Sequence, residues 1–288
     1  MANIANPGYL GIAVINSVSF RCTDISLVPS QDVVFYDHTV GLKDTVPAKG
    51  AGTKGASNEL NYINKQKIVW RGSTISYAGS ISFPVTNGGS DCTDNESNLP
   101  IIFNLAKYGN SFDIFITYNC LEARTFRGCK INTLSLSMTA GDIVTVTANI
   151  IAMDVEDSDP GDLFQVNQKM ITWDKVILTA PQDSIDVSEA QAFSIEINNN
   201  IKTIYTHNNL KPRELRLGMQ EVRGSITLYN NHGYLVLPLS DGDVTLGLNI
   251  FDLTTDINCV LQPSAINGAI SSIFSVIPFV GVDRPFGV

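Results

Sequence analysis

The sequence predicts an all-β protein with one short helix, arranged as two β-sandwich or barrel units in tandem. Three observations carry this. Apolar and polar residues alternate with a period of two along most of the chain, helical periodicity is scarce, and segments of the first half recur in order in the second. The clearest alternation is Cys129-Lys-Ile-Asn-Thr-Leu-Ser-Leu-Ser-Met138, followed by the turn Thr139-Ala-Gly-Asp142 and a second run, Ile143 to Ile151. Two Thr- and Val-rich runs around a Gly-Asp turn read as a hairpin whose strands have one wet and one dry face.

The other elements follow in chain order. Strands are expected at Asp32–Tyr36, Ile75–Val85, Phe112–Tyr118, Met170–Leu178, Phe193–Ile197, Glu221–Tyr229 and Asp243–Leu253. A helix is expected at Leu99–Tyr108, after the Asp-, Asn- and Ser-rich stretch 90–98. Residues 41–66, rich in Gly, Lys, Ala and Asn, read as a long loop of the functional kind. Residues 154–167, which open Asp154-Val-Glu-Asp-Ser-Asp-Pro-Gly-Asp162, read as an acidic linker. Their twelfth position is Gln165 where a calcium loop needs Glu, so no metal is assigned there.

Three matches across the linker support a duplication. Asp32 to His38 pairs with Asn200 to His207. Trp70 to Phe83 pairs with Leu217 to Leu228, both carrying Gly-Ser-Ile-(Ser/Thr)-apolar. Cys129 to Asp154 pairs with Cys259 to Asp283, with Gly141 and Gly268 as the turn glycines. The expected organisation is therefore a first unit at 1–153, the linker at 154–167 and a second unit at 168–288.

Composition narrows the function. A hydrophobic fraction of 44%, a charged fraction of 16% and a net charge of −9 describe a chain with a real core and no basic face for DNA or anionic lipid. The N-terminal residues have neither the basic region nor the apolar run of a signal peptide. The most apolar stretch, Ile266 to Val282, is interrupted by Asn267, serines, Pro278 and Gly281, so no membrane span is expected. Five cysteines without a CxxC pair read as free buried thiols. No nucleophile, phosphate-loop or zinc-protease motif occurs, so no catalytic, cofactor or metal residue is assigned and no enzyme is expected. Trp70 and Trp173 read as core aromatics, with a sugar-stacking platform as the competing reading.

The string Gly128 to Ala152 resembles the closing hairpin of bacteriophage tail tube proteins of long-tailed phages, as do Phe193 to Asn200 and Glu221 to Leu228. The resemblance implies a structural virion protein with no cofactor, assembled in the host cytoplasm. Its subunits form rings joined into one inter-subunit β-barrel, and the rings stack into a tube. The lumen carries double-stranded DNA and the tape-measure protein, and a tail sheath is a possible outer partner. A duplicated subunit implies a trimeric ring with pseudo-sixfold symmetry, and a second unit that only decorates the outside implies a hexamer. Two sets of residues follow as candidates. Lys43, Lys49, Lys54, Lys65 and Lys67 belong to an inter-ring contact loop. Asn132, Ser135, Ser137, Thr145, Thr147 and Asn149 face the lumen. A baseplate, tail-completion or secretion-needle protein, or a carbohydrate-binding β-sandwich, remains open on the same residues.

Overall fold

The computed structural model describes residues 11–37, 68–87, 97–118, 122–159, 169–180, 187–207, 209–229, 243–262, 265–269, 272–282 and 285–286. In chain order the strands begin with β1 (Gly11–Ile15), β2 (Val18–Cys22), β3 (Asp24–Ile25), β4 (Val28–Asp37), β5 (Ile68–Pro84) and β6 (Thr86–Asn87). Helix α1 (Leu99–Tyr108) precedes β7 (Phe112–Tyr118), β8 (Glu122–Thr139), β9 (Thr145–Ala152) and β10 (Asp154–Ser158). The second half holds β11 (Lys169–Met170), β12 (Val176–Thr179), β13 (Ala190–Asn198), β14 (Lys202–Ile204), β15 (Glu214–Arg216) and β16 (Glu221–Tyr229). It closes with β17 (Val244–Ile250), β18 (Leu253–Leu261), β19 (Ala265–Ala269) and β20 (Ser272–Gly281).

The all-β class with one short helix holds, and every pairing between strands is antiparallel. β8 is long enough to serve two layers. Its N-terminal part pairs with β7 and β10, and its C-terminal part with β9 and β13. An inner sheet therefore runs β4–β5–β9–β8–β13–β16–β20–β19, with β3 in line with β4 on the same edge of β5. Outer strands β2–β1–β7 fold over its first half, and β12–β17–β18 over its second. One apolar cluster fills the space between, with Phe20 edge-on to Phe83 at 4.9 Å and Phe193 stacked on Phe279 at 5.8 Å.

The two halves use the same strand order. Reading from the outside, β1–β7–β8–β9–β5–β3/β4 corresponds to β12–β17–β18–β20–β16–β13. The register corresponds as well. Phe112 faces Cys129 as Val244 faces Cys259, and Gly79 faces Ile150 as Gly224 faces Phe279. Ser135 faces Thr147 as Ala265 faces Val276. Phe35 faces Trp70 as Thr203 faces Leu215, so the short β14–β15 hairpin repeats the distal end of β4–β5.

Some expectations need correction. Gly141 sits in the β8–β9 turn with φ +88°, whereas Gly268 lies inside β19 opposite Ile273, so the two glycines do not correspond. The apolar run 170–178 is split, because Trp173–Lys175 form a 3-10 turn between β11 and β12. Asp154–Ser158, the start of the expected linker, is strand β10 with its carboxylates turned to bases: Asp154 to Lys211 at 2.7 Å, Glu156 to Arg127 at 2.9 Å and Asp157 to Arg124 at 3.5 Å.

Helix α1 buries Leu99, Ile102, Phe103, Leu105 and Ala106, the spacing of one helical face, and ends at Gly109 in the left-handed region with φ 63°. Gly79 and Gly224 are needed for a different reason. A Cβ on Gly79 would lie 2.4 Å from the Ser26 carbonyl oxygen, and one on Gly224 would lie 2.3 Å from that of Ser194. Adjacent strands thus approach more closely than any side chain permits at equivalent points of the two halves. Gly79→Ala and Gly224→Ala should each destabilise the chain by about 1–3 kcal/mol. Urea unfolding measures this, and a loss confined to one of the two would contradict their equivalence.

Candidate assembly surface

The inner sheet has a dry face against the core and a wet face covered by small polar side chains. Burial alternates along β8 and β9, with Leu134, Leu136, Met138, Val146, Ala148 and Ile150 buried between polar residues. The wet side carries a chain of hydroxyl contacts across successive strands. Ser26 and Ser80 meet at 2.9 Å, Ser82 and Thr147 at 2.9 Å, and Ser137 and Thr145 at 2.9 Å. On the next strands Ser194 and Ser225 meet at 2.9 Å, and the Ser135 hydroxyl donates to Glu196 at 3.5 Å. Ser26–Ser80 and Ser194–Ser225 are the same contact in the two halves. Hydroxyl pairs satisfy each other's donors and acceptors, so the face presents little unpaired charge. Charge of both signs enters at one margin, where Arg223 donates to Glu221 at 3.0 Å beside Glu196.

The halves are joined by β13, which adds to β8 over Thr133–Thr139. A buried amide pins one end of this seam. Asn199, 3% exposed, donates to the Ala106 carbonyl at 2.9 Å and the Ile131 carbonyl at 2.8 Å, and accepts from Gln220 at 2.8 Å. Gln220 also donates to the Lys107 carbonyl at 3.0 Å. The last carbonyls of α1, which have no partner inside the helix, are thereby satisfied from the second half. Asn132 is the extra residue of a bulge in β8 and accepts from the Ile201 N–H at 2.8 Å. The arm between β14 and β15 supplies further contacts, with the Ile75 N–H donating to the Leu210 carbonyl at 2.8 Å and the Tyr205 hydroxyl to the Ile75 carbonyl at 3.0 Å.

Of the residues singled out in the sequence, Ser135, Ser137, Thr145, Thr147 and Asn149 share the wet face, with Ser135 opposite Thr147 and Ser137 opposite Thr145. Asn132 is instead committed to the bulge and to the backbone that follows β13. Lys43, Lys49, Lys54, Lys65 and Lys67 lie outside the described residues. Sequence reasoning missed Ser26, Ser80, Ser194, Ser225 and the Asn199 clamp. The Gly-Ser-Ile repeat at Gly79 and Gly224 marked Ser80 and Ser225, and nothing local in the sequence marks Asn199.

Among the described residues no cluster of His, Cys, Asp or Glu has metal-holding geometry. A shallow pocket of about 260 Å³ lies between Lys169–Lys175 and Phe251. What the chain offers is a broad hydroxyl-lined sheet that ends in strands β3/β4 on one side and β19 on the other. The family model described as phage tail tube protein matches residues 36–267. The chain belongs to the phage tail tube protein family. Its role is that of a structural component of a bacteriophage tail, as the hairpin strings implied. No curated protein matches it. For a tail tube protein the inner sheet is the feature to explain, since it spans both halves of the chain without a break.

The described thiols are structural in this tail tube protein. Burial pushes Cys22, Cys129 and Cys259 up to about 12, so all three stay protonated at neutral pH. The Lys211 ammonium holds the Asp154 carboxyl below its ordinary value through a direct hydrogen bond. A carboxyl depressed in the fold adds stability above its unfolded pKa and loses it as pH falls through the folded one. Asp154→Asn should therefore lower the urea midpoint at pH 7, with the difference from the parent chain shrinking as pH drops through about 4 and below. A difference that persisted undiminished at low pH would show that the ion pair does not hold β10 to the arm.

Proposed function

We propose that this chain is the repeating subunit of the tail tube, assembling with itself into stacked rings whose bore conducts the genomic DNA. The observation that carries this is the unbroken inner sheet of eight strands, four from each half, with its hydroxyl-covered face. The halves act as two tube units, 1–153 and 168–288, joined through 154–167.

Ring size follows from strand count. Three copies would contribute about 24 strands, which at ~4.8 Å spacing and ~40° tilt close a barrel roughly 50 Å across between backbones. Six copies would double that bore. We therefore favour a trimeric ring with pseudo-sixfold symmetry. Ser135, Ser137, Thr145, Thr147 and Asn149 then face the lumen. Neutral hydroxyls suit a conduit, because each lysine or arginine set against a phosphate releases counterions and holds the DNA in place. The tape-measure protein occupies the same bore before DNA passes.

Lys43, Lys49, Lys54, Lys65 and Lys67 fall between β4 and β5, the pair that the β14–β15 arm repeats. That shorter arm carries Lys211, which grips Asp154 of the other half. The lysines of the longer loop are assigned the same chemistry between rings.

Negative-stain electron microscopy of the purified chain tests this reading. Hollow rings or striated tubes are expected, and monomers at every concentration would overturn it. Tubes of the triple variant Ser135→Arg, Ser137→Arg, Thr147→Arg should retain double-stranded DNA at low salt and release it as salt rises. Parent tubes should retain little at any salt.

A further inference from the structure

The seam between the two halves contains information about a contact the single chain does not make. β13 pairs with β16 on one side and with β8 on the other. By register its counterpart in the first half is the segment spanning β3 and the start of β4. Phe193 faces Ile226 as Ile25 faces Ile81, and Glu196 faces Arg223 as Val28 faces Ala78. The Ser194–Ser225 and Ser26–Ser80 contacts mark the same point at the same 2.9 Å. The counterpart of the accepting stretch of β8 is β19, since Ser135 faces Thr147 as Ala265 faces Val276. Among the described strands β3 and β4 pair with β5 alone, and β19 pairs with β20 alone. Both partners of a second seam are therefore present, at opposite ends of one sheet.

We propose that β3–β4 of one copy adds to β19 of a second copy in the register that β13 takes on β8. Asp24, Ile25, Ser26 and Val28 then face Ala269, Gly268, Asn267 and Ala265. These reproduce Ala192 on Thr139, Phe193 on Met138, Ser194 on Ser137 and Glu196 on Ser135. The occupant of each edge is another copy of this chain, because this chain itself displays the complementary strand in the matching frame. The inference rests on the tube reading and specifies its joint. A sheet edge left open is an aggregation hazard, and a head-to-tail contact of this kind closes only by completing a ring. Val28, 45% exposed in the single chain, sits on that edge.

Paired cysteines test the register. Backbone bonds from Ala140 to Gln191 and from Asn199 to Asn132 make Ser137–Ser194 a non-hydrogen-bonded pair, the closer kind. Its Cβ separation of roughly 4.5–5 Å lies near disulfide range, about 3.5–4.5 Å. Ser26–Asn267 would be its copy between chains. Chains carrying Ser26→Cys are co-assembled with chains carrying Asn267→Cys and oxidised with copper phenanthroline, with each single variant alone setting the background of native thiols. A reductant-sensitive dimer found only in the mixture is expected, while Ser137→Cys with Ser194→Cys in one chain should close an intrachain disulfide. Rings in which Val28→Cys or Asp24→Cys links to Asn267→Cys while Ser26→Cys does not, or in which no pair links, would overturn the register but leave the tube reading standing. Failure of the parent chain to form rings would remove both. Ile25→Pro supplies a second readout, since it deletes the edge N–H that would meet Gly268. A folded monomer by circular dichroism with no rings is expected, and intact rings from that variant would overturn the proposal.

Discussion

The addition of β13 to the far half of β8 is the contact on which the rest of this structure depends. Without it the chain would be two short sheets, each with an unsatisfied edge. With it, eight strands share one hydrogen-bonded surface and one apolar core lies behind them. β8 makes this possible by length. Its eighteen residues serve an outer layer through Cys129 and the inner sheet from Lys130, with a bulge at Arg127–Gly128 just before the change of partner. A bulge raises local twist and re-aims the strand, as a strand passing from one layer to another requires.

The clamp at Asn199 shows what the seam costs. Three polar partners converge on one buried amide, and each would be expensive to leave unpaired. Because they come from α1, β8 and the loop before β16, the amide fixes the helix end, the bulge at Asn132 and the second half relative to one another. Gly79 and Gly224 impose a second constraint of the same kind. Close backbone approach lets the serine hydroxyls meet directly on the wet face, which covers much of it with paired hydroxyls. The proposed bore, which would pass a polyanion, is better served by such a surface than by a charged one.

Much of this was legible in the residues. Strict alternation named the β8–β9 hairpin, and α1, β7 and β16 were bounded by their own patterns and caps. The Gly-Ser-Ile repeat found the equivalence of β5 and β16, because a glycine forced by close approach leaves a mark that drift does not erase. The Gly141–Gly268 match failed for the opposite reason, since turn glycines recur wherever φ is positive and carry no register. β1 and β2 were not assigned, and β20 was reached only through the match of Cys259–Asp283 to the first hairpin. β20 is interrupted by Pro278 and reads as a broken apolar run, yet it pairs with β16 on one side and with β18 and β19 on the other. The face shared by Ser135, Ser137, Thr145 and Thr147 follows from alternation alone. The role of Asn132 and Asn199 does not, because it depends on a contact between distant halves.

Amide hydrogen exchange of the chain as monomer and as assembled ring tests most directly the claim that one seam is made within the chain and an equivalent one between chains. Residues 133–139 and 192–198 should be protected in both states. The Ile25 amide and the amides of 265–269 that face away from β20 should gain protection only on assembly, to a level comparable with the first seam. Equal exchange of those two edge segments before and after assembly would contradict the account.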